Sequence, residues 1–299
     1  MIFSEFLKCW NNIRVLSSNQ VFEKIFKLLK AYTPYYRYVR AFLKVLLNPL
    51  DTFHVARHDP QVDIEKNKQL LSKIASFPQY DFVKLSDAVG FNEFDQRVSW
   101  HWIIIPALIE LLSNGQREGL RILEIGTFDA RFTRMLADNF DCEIHTVDLP
   151  DDADSFINSY EREDSSKRKK FVEARNKRLN HASVIFHQFD SIHMIRKFSP
   201  ESFDLIWVDG DHLAPHVSFD LLSSVFLCKP SGFVCCDDVM TYRFKDRYVS
   251  NESFESLLAL QAKGLIDLTL FLKRCKKSNA LAARTKFISV SRKLGNASS

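Results

Sequence analysis

Five apolar segments of this sequence each give way to carboxylates. "LRILEIG" carries Glu124 and runs into Gly126, Thr127, Phe128 and Asp129. "EIHTVDL" carries Asp148, and "SVIFHQFD" ends at Asp190, followed by Ser191. "FDLIWVDGDH" passes from Val208 to Asp209, Gly210, Asp211 and His212, and "SGFVCCDDV" reaches Asp237 and Asp238. One acid after an apolar run makes a turn. Five sets along one sheet edge would make a site for hydroxyls, ammonium groups or a metal, because open α/β sheets bind ligands beyond the carboxyl ends of their strands.

The first two segments narrow the ligand. The chain has only 8 glycines, so each answers a backbone need. Gly126 stands where a first strand turns into a helix; a plain tight turn is its alternative reading. Asp148 follows 22 residues later, where a carboxylate can accept from both hydroxyls of a ribose. A dinucleotide site would want Gly-x-Gly-x-x-Gly. Here Asp129 would face the pyrophosphate, which is unfavourable. A sulfonium and an α-amino group suit Glu124 and Asp129, so the electrostatics favour S-adenosylmethionine over NAD.

The elements that must position these residues alternate. Strands are expected at "LRILEIG", "EIHTVDL", "SVIFHQFD", "FDLIWVD" and "SGFVCCDDV". Helices are expected at "RFTRMLADNF", through most of 151–180, at "HVSFDLLSSVFL" and at "SFESLLALQAKG", the last ended by Gly264. Alternation of this kind gives a parallel sheet covered on both faces. "IDLTLFLKR" and "TKFISVSRK" follow as a hairpin-linked pair appended to it. Before the alternation, residues 1–50 carry helical apolar spacing broken at Pro34 and ended at Pro49. The polar stretch 51–68, with Pro60, reads as a linker. A helix is expected at 98–113, kinked or started at Pro106.

In this order, "ILEIGTFDARFT", "TVDLP", "ARNKRLNHASVIFHQFDS", "FDLIWVDGDH" and "KPSGFVCCDDV" resemble a class I S-adenosylmethionine-dependent methyltransferase, over about residues 95–292. Small-molecule O-methyltransferases of the catechol and macrolide type are the nearest kind. The resemblance implies a Rossmann-like α/β fold: a mostly parallel seven-stranded sheet with a final antiparallel strand, here with an N-terminal helical extension. The expected division of the chain is 1–58 basic helical N-terminal extension, 59–119 helical lead-in and acceptor-side cap, 120–299 methyltransferase domain. Glu124, Gly126, Thr127 and Asp129 would hold the methionine moiety, with Phe128 in the same turn also against the cofactor. Asp148 would hold the ribose, and Asp190 and Ser191 would lie by the adenine. Asp209 would face methyl transfer. One departure is Ala130, where the family usually has a second glycine.

In metal-dependent O-methyltransferases an acid after strand four and an acidic pair after strand five bind a divalent cation. Asp209, Asp237 and Asp238 hold those places. Three carboxylates without a thiolate favour Mg²⁺ or a similar ion over zinc. Such an ion would lower the pKa of an acceptor hydroxyl. His212 could take the proton. The alternatives are a strand-end turn for Asp237–Asp238 and a loop hydrogen bond or helix cap for His212. Asp211 has a structural role.

Asp-Gly-Asp-His stands where amine-methylating relatives usually carry Asn/Asp-Pro-Pro-aromatic, which points to an oxygen acceptor on a small molecule or glycan. Residues 1–58 hold nine Lys/Arg against three acids, leaving the body near neutral, so nucleic acid is not expected. The basic segment 1–50 would dock on the body as a lid, form a homodimer contact, or meet an anionic membrane peripherally. The six cysteines show no CxxC and no zinc-ligand spacing, which fits a reducing cytoplasm. The alternative to an enzyme is a non-catalytic or hydroxylase-like S-adenosylmethionine-binding protein whose N-terminal segment docks on a membrane or partner.

Overall fold

Apolar runs of 5 to 12 residues build seven strands in a single sheet. The computed structural model describes residues 49–75, 82–113, 119–242, 250–281 and 285–295. The helices expected within 1–48, and any docking by them, lie outside the described residues. Contacts divide the chain into Met1–Arg57 and His58–Ser299. In the first unit, α1 spans Pro49–Arg57, with the Arg57 guanidinium 4.1 Å from the centre of the Phe53 ring.

In the second unit α2 (Pro60–Ala75), α3 (Phe82–Val89) and α4 (His101–Leu112) come first. Then follow β1 (Leu120–Ile125), α5 (Arg131–Asn139) and β2 (Cys142–Asp148). The short α6 (Asp154–Ile157) and α7 (Ser165–Leu179) lead to β3 (Val184–Gln188). A 3₁₀ turn at Ser191–His193, α8 (Met194–Lys197), β4 (Phe203–Val208), α9 (His216–Leu227) and β5 (Cys228–Val239) complete the alternation. Finally come α10 (Glu252–Ala262), β6 (Ile266–Leu272) and β7 (Phe287–Lys293). The sheet order is β3-β2-β1-β4-β5-β7-β6. Only β7 runs antiparallel, to both β5 and β6. This is the Rossmann-like fold of class I methyltransferases. The appended pair is a hairpin, β6 against β7, and it joins the sheet through β7, which lies between β5 and β6.

The central strands feed two cores. In β4, Leu205 and Trp207 join the core under α2, α3 and α4, while Ile206 and Val208 join the one under α9 and α10. That alternation with both faces buried is what a parallel sheet requires. In β5, Cys235 and Cys236 divide between the two cores in the same way.

Two sequence expectations need correction. Residues 51–68 are not an irregular stretch: they lie largely in α1 and α2, and the boundary of the two units, Arg57–His58, falls among them. Pro60 sits at the first helical position of α2, where its missing N–H is harmless. Ile64 and Leu71 are buried, and Asn67 exchanges hydrogen bonds with Leu272, donating to its carbonyl (3.0 Å) and accepting from its N–H (3.1 Å). Packing on β6, invisible in the polar composition, decides the helix. Pro106 neither starts nor ends α4; the helix begins at His101 and continues through it, with Ile103 to Ile109 buried throughout.

Candidate active site at the carboxyl edge of the sheet

The strand order reverses between β1 and β4, which are neighbours. The crevice at such a switch point is where open sheets bind ligands. Gly126 closes its floor. It has φ +97°, and a Cβ there would sit 2.3 Å from the Asp209 carbonyl oxygen. The two strand ends are stitched by Asp209 N–H to Ile125 C=O (2.8 Å) and Gly126 N–H to Val147 C=O (2.8 Å). Only a glycine lets the β1 turn approach the β4 end this closely.

Asp148 ends β2 with both carboxylate oxygens aimed. One accepts from Phe128 N–H (2.9 Å), the other from Leu149 N–H (2.8 Å). A carboxylate has about four lone-pair sites, so each oxygen can still accept a hydroxyl. Burial pushes the Asp148 carboxyl up, against those two backbone bonds and the charges of Arg162 and Arg175. Phe128 (φ 47°) and Ala130 (φ 59°) are both left-handed, and Phe128 is 43% exposed against Tyr160 and Phe171. Ala130 thus adopts the conformation that a glycine would take without strain.

The other acids of this half are placed differently from one another. Glu124 is only 3% exposed, beneath the turn. It accepts from Thr133 (2.5 Å) and Thr146 (2.6 Å), and Thr146 in turn pairs with Thr127 (2.6 Å). Burial pushes its carboxyl up to about 8, against those two hydroxyl bonds. Glu124 therefore shapes the turn through Thr127 and Thr133. Asp129 is paired with Arg131 (2.6 Å), and Arg178 lies at 3.9 Å, so its charge is already partly met. Asp190 caps the 3₁₀ turn by accepting from Ile192 N–H (3.1 Å). Burial pushes the Asp220 carboxyl up to about 6, with Ser191 acting against it.

After β4, the His212 Nε2 lies 3.5 Å from Asp209 Oδ1. Burial opposes the imidazolium, but the Asp209 hydrogen bond and charge prevail and raise its pKa, with Asp238 and Asp237 adding. Asp209 is itself raised, by burial first and by Asp237 next. Asp211 accepts from Leu213 N–H (3.0 Å) and pairs with His216 (3.2 Å).

A bulge ends β5. Pairing with β7 shifts register between Cys236 and Val239, and Asp238 has φ 51°. In a regular strand adjacent side chains face opposite ways. The bulge instead turns both Asp237 and Asp238 toward the Lys273 ammonium, which donates to Asp237 Oδ2 and to Asp238 Oδ1 (2.6 Å). Lys286 holds the other Asp238 oxygen (2.7 Å). Burial disfavours the ionised forms of Asp237 and Asp238, yet Lys273 outweighs it and keeps both below the usual carboxylate range. Against the same burial, Asp237 and Asp238 hold Lys273 protonated above its ordinary range.

Sequence reasoning missed Lys273 and His101. Trp100 N–H donates to the Lys273 carbonyl (2.9 Å) and so sets the start of α4 beside this cluster. His101 stacks on Trp207 (ring centres 5.2 Å) and its Nδ1 meets Ser99 (2.8 Å). Burial pushes its pKa down to about 4, against the attraction of Asp237. Among the described residues, Asp237 Oδ1 and His212 Nδ1 are buried without a hydrogen-bond partner.

The expected carboxylate metal centre does not fit this arrangement. Among the described residues no group of three or more His, Cys, Asp or Glu is arranged to hold a metal ion. Asp237 and Asp238 already converge on an ammonium. At an effective dielectric of about 20, unit charges about 4 Å apart interact by about 4 kcal/mol. A divalent ion that close to Lys273 would be opposed by about twice that.

Residues 123–239, from β1 to the end of β5, match a family described as "Methyltransferase domain". These residues form a class I S-adenosylmethionine-dependent methyltransferase domain. No curated protein matches the chain. Solved structures similar to it include phosphoethanolamine N-methyltransferase 2 of Haemonchus contortus with bound S-adenosylhomocysteine (14% identity, TM-score 0.45, 71% of this chain). This chain spans 57% of that protein's length. An arsenic(III) S-adenosylmethionine methyltransferase of Chlamydomonas reinhardtii is also similar (17% identity, TM-score 0.38, 59% of this chain and 64% of that one). So is an O-methyltransferase of Bacillus cereus in complex with S-adenosylhomocysteine (15% identity, TM-score 0.44, 77% and 99%). Lys273 and His101 lie outside the matched span of the methyltransferase domain.

A cavity of about 430 Å³ lies at the opposite edge of the sheet, lined by Ile74, Leu112, Asp204, Lys229 and Arg292 among others. It is remote from the strand-end acids. No helix among the described residues is long and apolar enough to cross a membrane.

Proposed function

We propose that this protein transfers the methyl group of S-adenosylmethionine to a hydroxyl oxygen of a small molecule or glycan. The observation that carries the reading is the crevice itself. Gly126 lets the β1 turn meet the Asp209 backbone, and Asp148 is held by Phe128 and Leu149 N–H with acceptor capacity to spare.

The residues present fit the cofactor. Gly126, Thr127 and Phe128 would line the methionine side, with Glu124 setting the turn from below. Asp129 would reach the methionine only through the charge left by Arg131. Asp148 would accept from the ribose, and the Asp190–Ser191 turn would border the adenine. When bound, the sulfonium supplies an electrophilic methyl carbon.

The chain's own residues manage the acceptor proton. His212 Nε2 lies 3.5 Å from Asp209 Oδ1, and its Nδ1 is the unpartnered nitrogen. Bound S-adenosylmethionine would supply the methyl group to the acceptor oxygen and leave as S-adenosylhomocysteine, and His212 would take the proton that the hydroxyl gives up. Asp209 holds the imidazole in the required tautomer and stabilises the imidazolium. Lys273 already holds Asp237 and Asp238, the carboxylates that would bind a metal.

The test is incubation of the full chain with methyl-labelled S-adenosylmethionine and a panel of hydroxylated acceptors, with added Mg²⁺ or with chelator. Label in an ether or ester of one acceptor class, lost in His212→Ala, supports the reading. Label confined to amines overturns the oxygen assignment.

A further inference from the structure

The cation at the end of β5 is built into the chain. Lys273 follows β6, two strands away from β5 in the sheet, and its side chain is only 9% exposed. Its backbone is clamped on both sides: its N–H donates to Lys286 C=O (2.9 Å) and its C=O accepts from Trp100 N–H (2.9 Å). The ammonium is therefore delivered from a fixed backbone position. Its two carboxylate partners are brought together only by the Asp238 bulge.

We propose that Lys273 is the resident cation of the acceptor site, its ammonium held by Asp237 and Asp238 where a divalent ion would otherwise stand, so that the site takes no metal. This rests on the methyltransferase reading, within which it replaces the metal chemistry of related O-methyltransferases. An ammonium has three N–H donors and no acceptor. Two donate to Asp237 and Asp238, and the third is the one a bound acceptor oxygen can take.

The test needs no acceptor. Mn²⁺ is titrated into the full wild-type chain and the free ion is read by electron paramagnetic resonance. Lys273→Ala and Lys273→Met are titrated alongside, the second keeping an apolar stem in case alanine unfolds the protein. The wild type is expected to leave the free-ion signal unchanged. Either variant, freed of the ammonium but still holding the acids, is expected to bind one Mn²⁺ at least tenfold more tightly. Adding Asp237→Asn should abolish that gain. One Mn²⁺ bound by the wild type and lost in Asp237→Asn overturns the proposal. So does a folded Lys273 variant that binds Mn²⁺ no better than wild type. Titration of the same wild-type sample with S-adenosylhomocysteine separates the two ideas. Absence of that binding sinks the methyltransferase reading, while the Mn²⁺ signal still decides whether Lys273 excludes a metal.

Discussion

Replacing Gly126 with alanine should injure this protein more than any other glycine-to-alanine change at a turn. The new Cβ would lie 2.3 Å from the Asp209 carbonyl oxygen, 2.6 Å from its carbon and 2.9 Å from the Gly210 nitrogen. Heavy-atom contacts between carbons sit at about 3.5–4.0 Å, so the β4 end must retreat by roughly 1 Å, and all three obstacles are backbone. Overpacking of this kind costs about 1–3 kcal/mol. The left-handed φ of +97° adds about 1–2 kcal/mol. Gly264 is the control: its φ is +67° and a methyl added there would meet nothing within 4 Å, so Gly264→Ala should show only the second cost. Urea unfolding followed by circular dichroism should therefore separate the two variants by about 1–3 kcal/mol. Because the displaced backbone is that of Asp209, Gly126→Ala should also lose S-adenosylhomocysteine binding while Gly264→Ala keeps it. Equal destabilisation of the two, or wild-type affinity in Gly126→Ala, would refute the claim that this glycine joins the two strand ends.

Asp148→Ala should weaken S-adenosylhomocysteine binding by about 1.5–3 kcal/mol, the range for hydrogen bonds to a charged group; unchanged affinity by calorimetry would remove Asp148 from the ribose. Glu124, ordinarily near 4.5 and raised to about 8 in the fold, is protonated when folded but ionised when unfolded between those values. The folded state then binds the extra proton, so this contribution to stability falls as pH rises through that window, by up to about 1.4 kcal/mol per pH unit. Glu124→Gln should flatten the slope of unfolding free energy between about pH 6 and 8, and an unaltered slope would place the titration elsewhere. Ala130→Gly should relieve a left-handed alanine (φ 59°) and raise stability by about 1 kcal/mol; a loss of stability would show that the methyl packs more usefully than the strain costs.

Much of the fold was legible because parallel strands buried on both faces read as apolar runs and announce their ends with acids. The α9 range His216–Leu227 matches its sequence segment "HVSFDLLSSVFL". What escaped was set by distant partners. Residues 51–68 look polar, but Asn67 is a helix residue because Leu272 supplies both halves of its hydrogen bonding. Glu124 was visible as a strand-end acid, but nothing local shows that Thr133 and Thr146 draw it inward. The Asp237–Asp238 pair was visible too, and Lys273 was present in "FLKRC". Their meeting depends on β7 inserting between β5 and β6 and on the Asp238 bulge, neither of which has a local signature. A basic residue ending the strand after an acidic pair was the one available hint.

The most direct test of the central claim is equilibrium titration of the full wild-type chain with S-adenosylhomocysteine, with NAD⁺ as comparator. The Gly126 crevice and the aimed Asp148 carboxylate predict saturable one-to-one binding of S-adenosylhomocysteine and none of NAD⁺. No binding of S-adenosylhomocysteine by folded protein, or equal binding of the dinucleotide, would contradict the account.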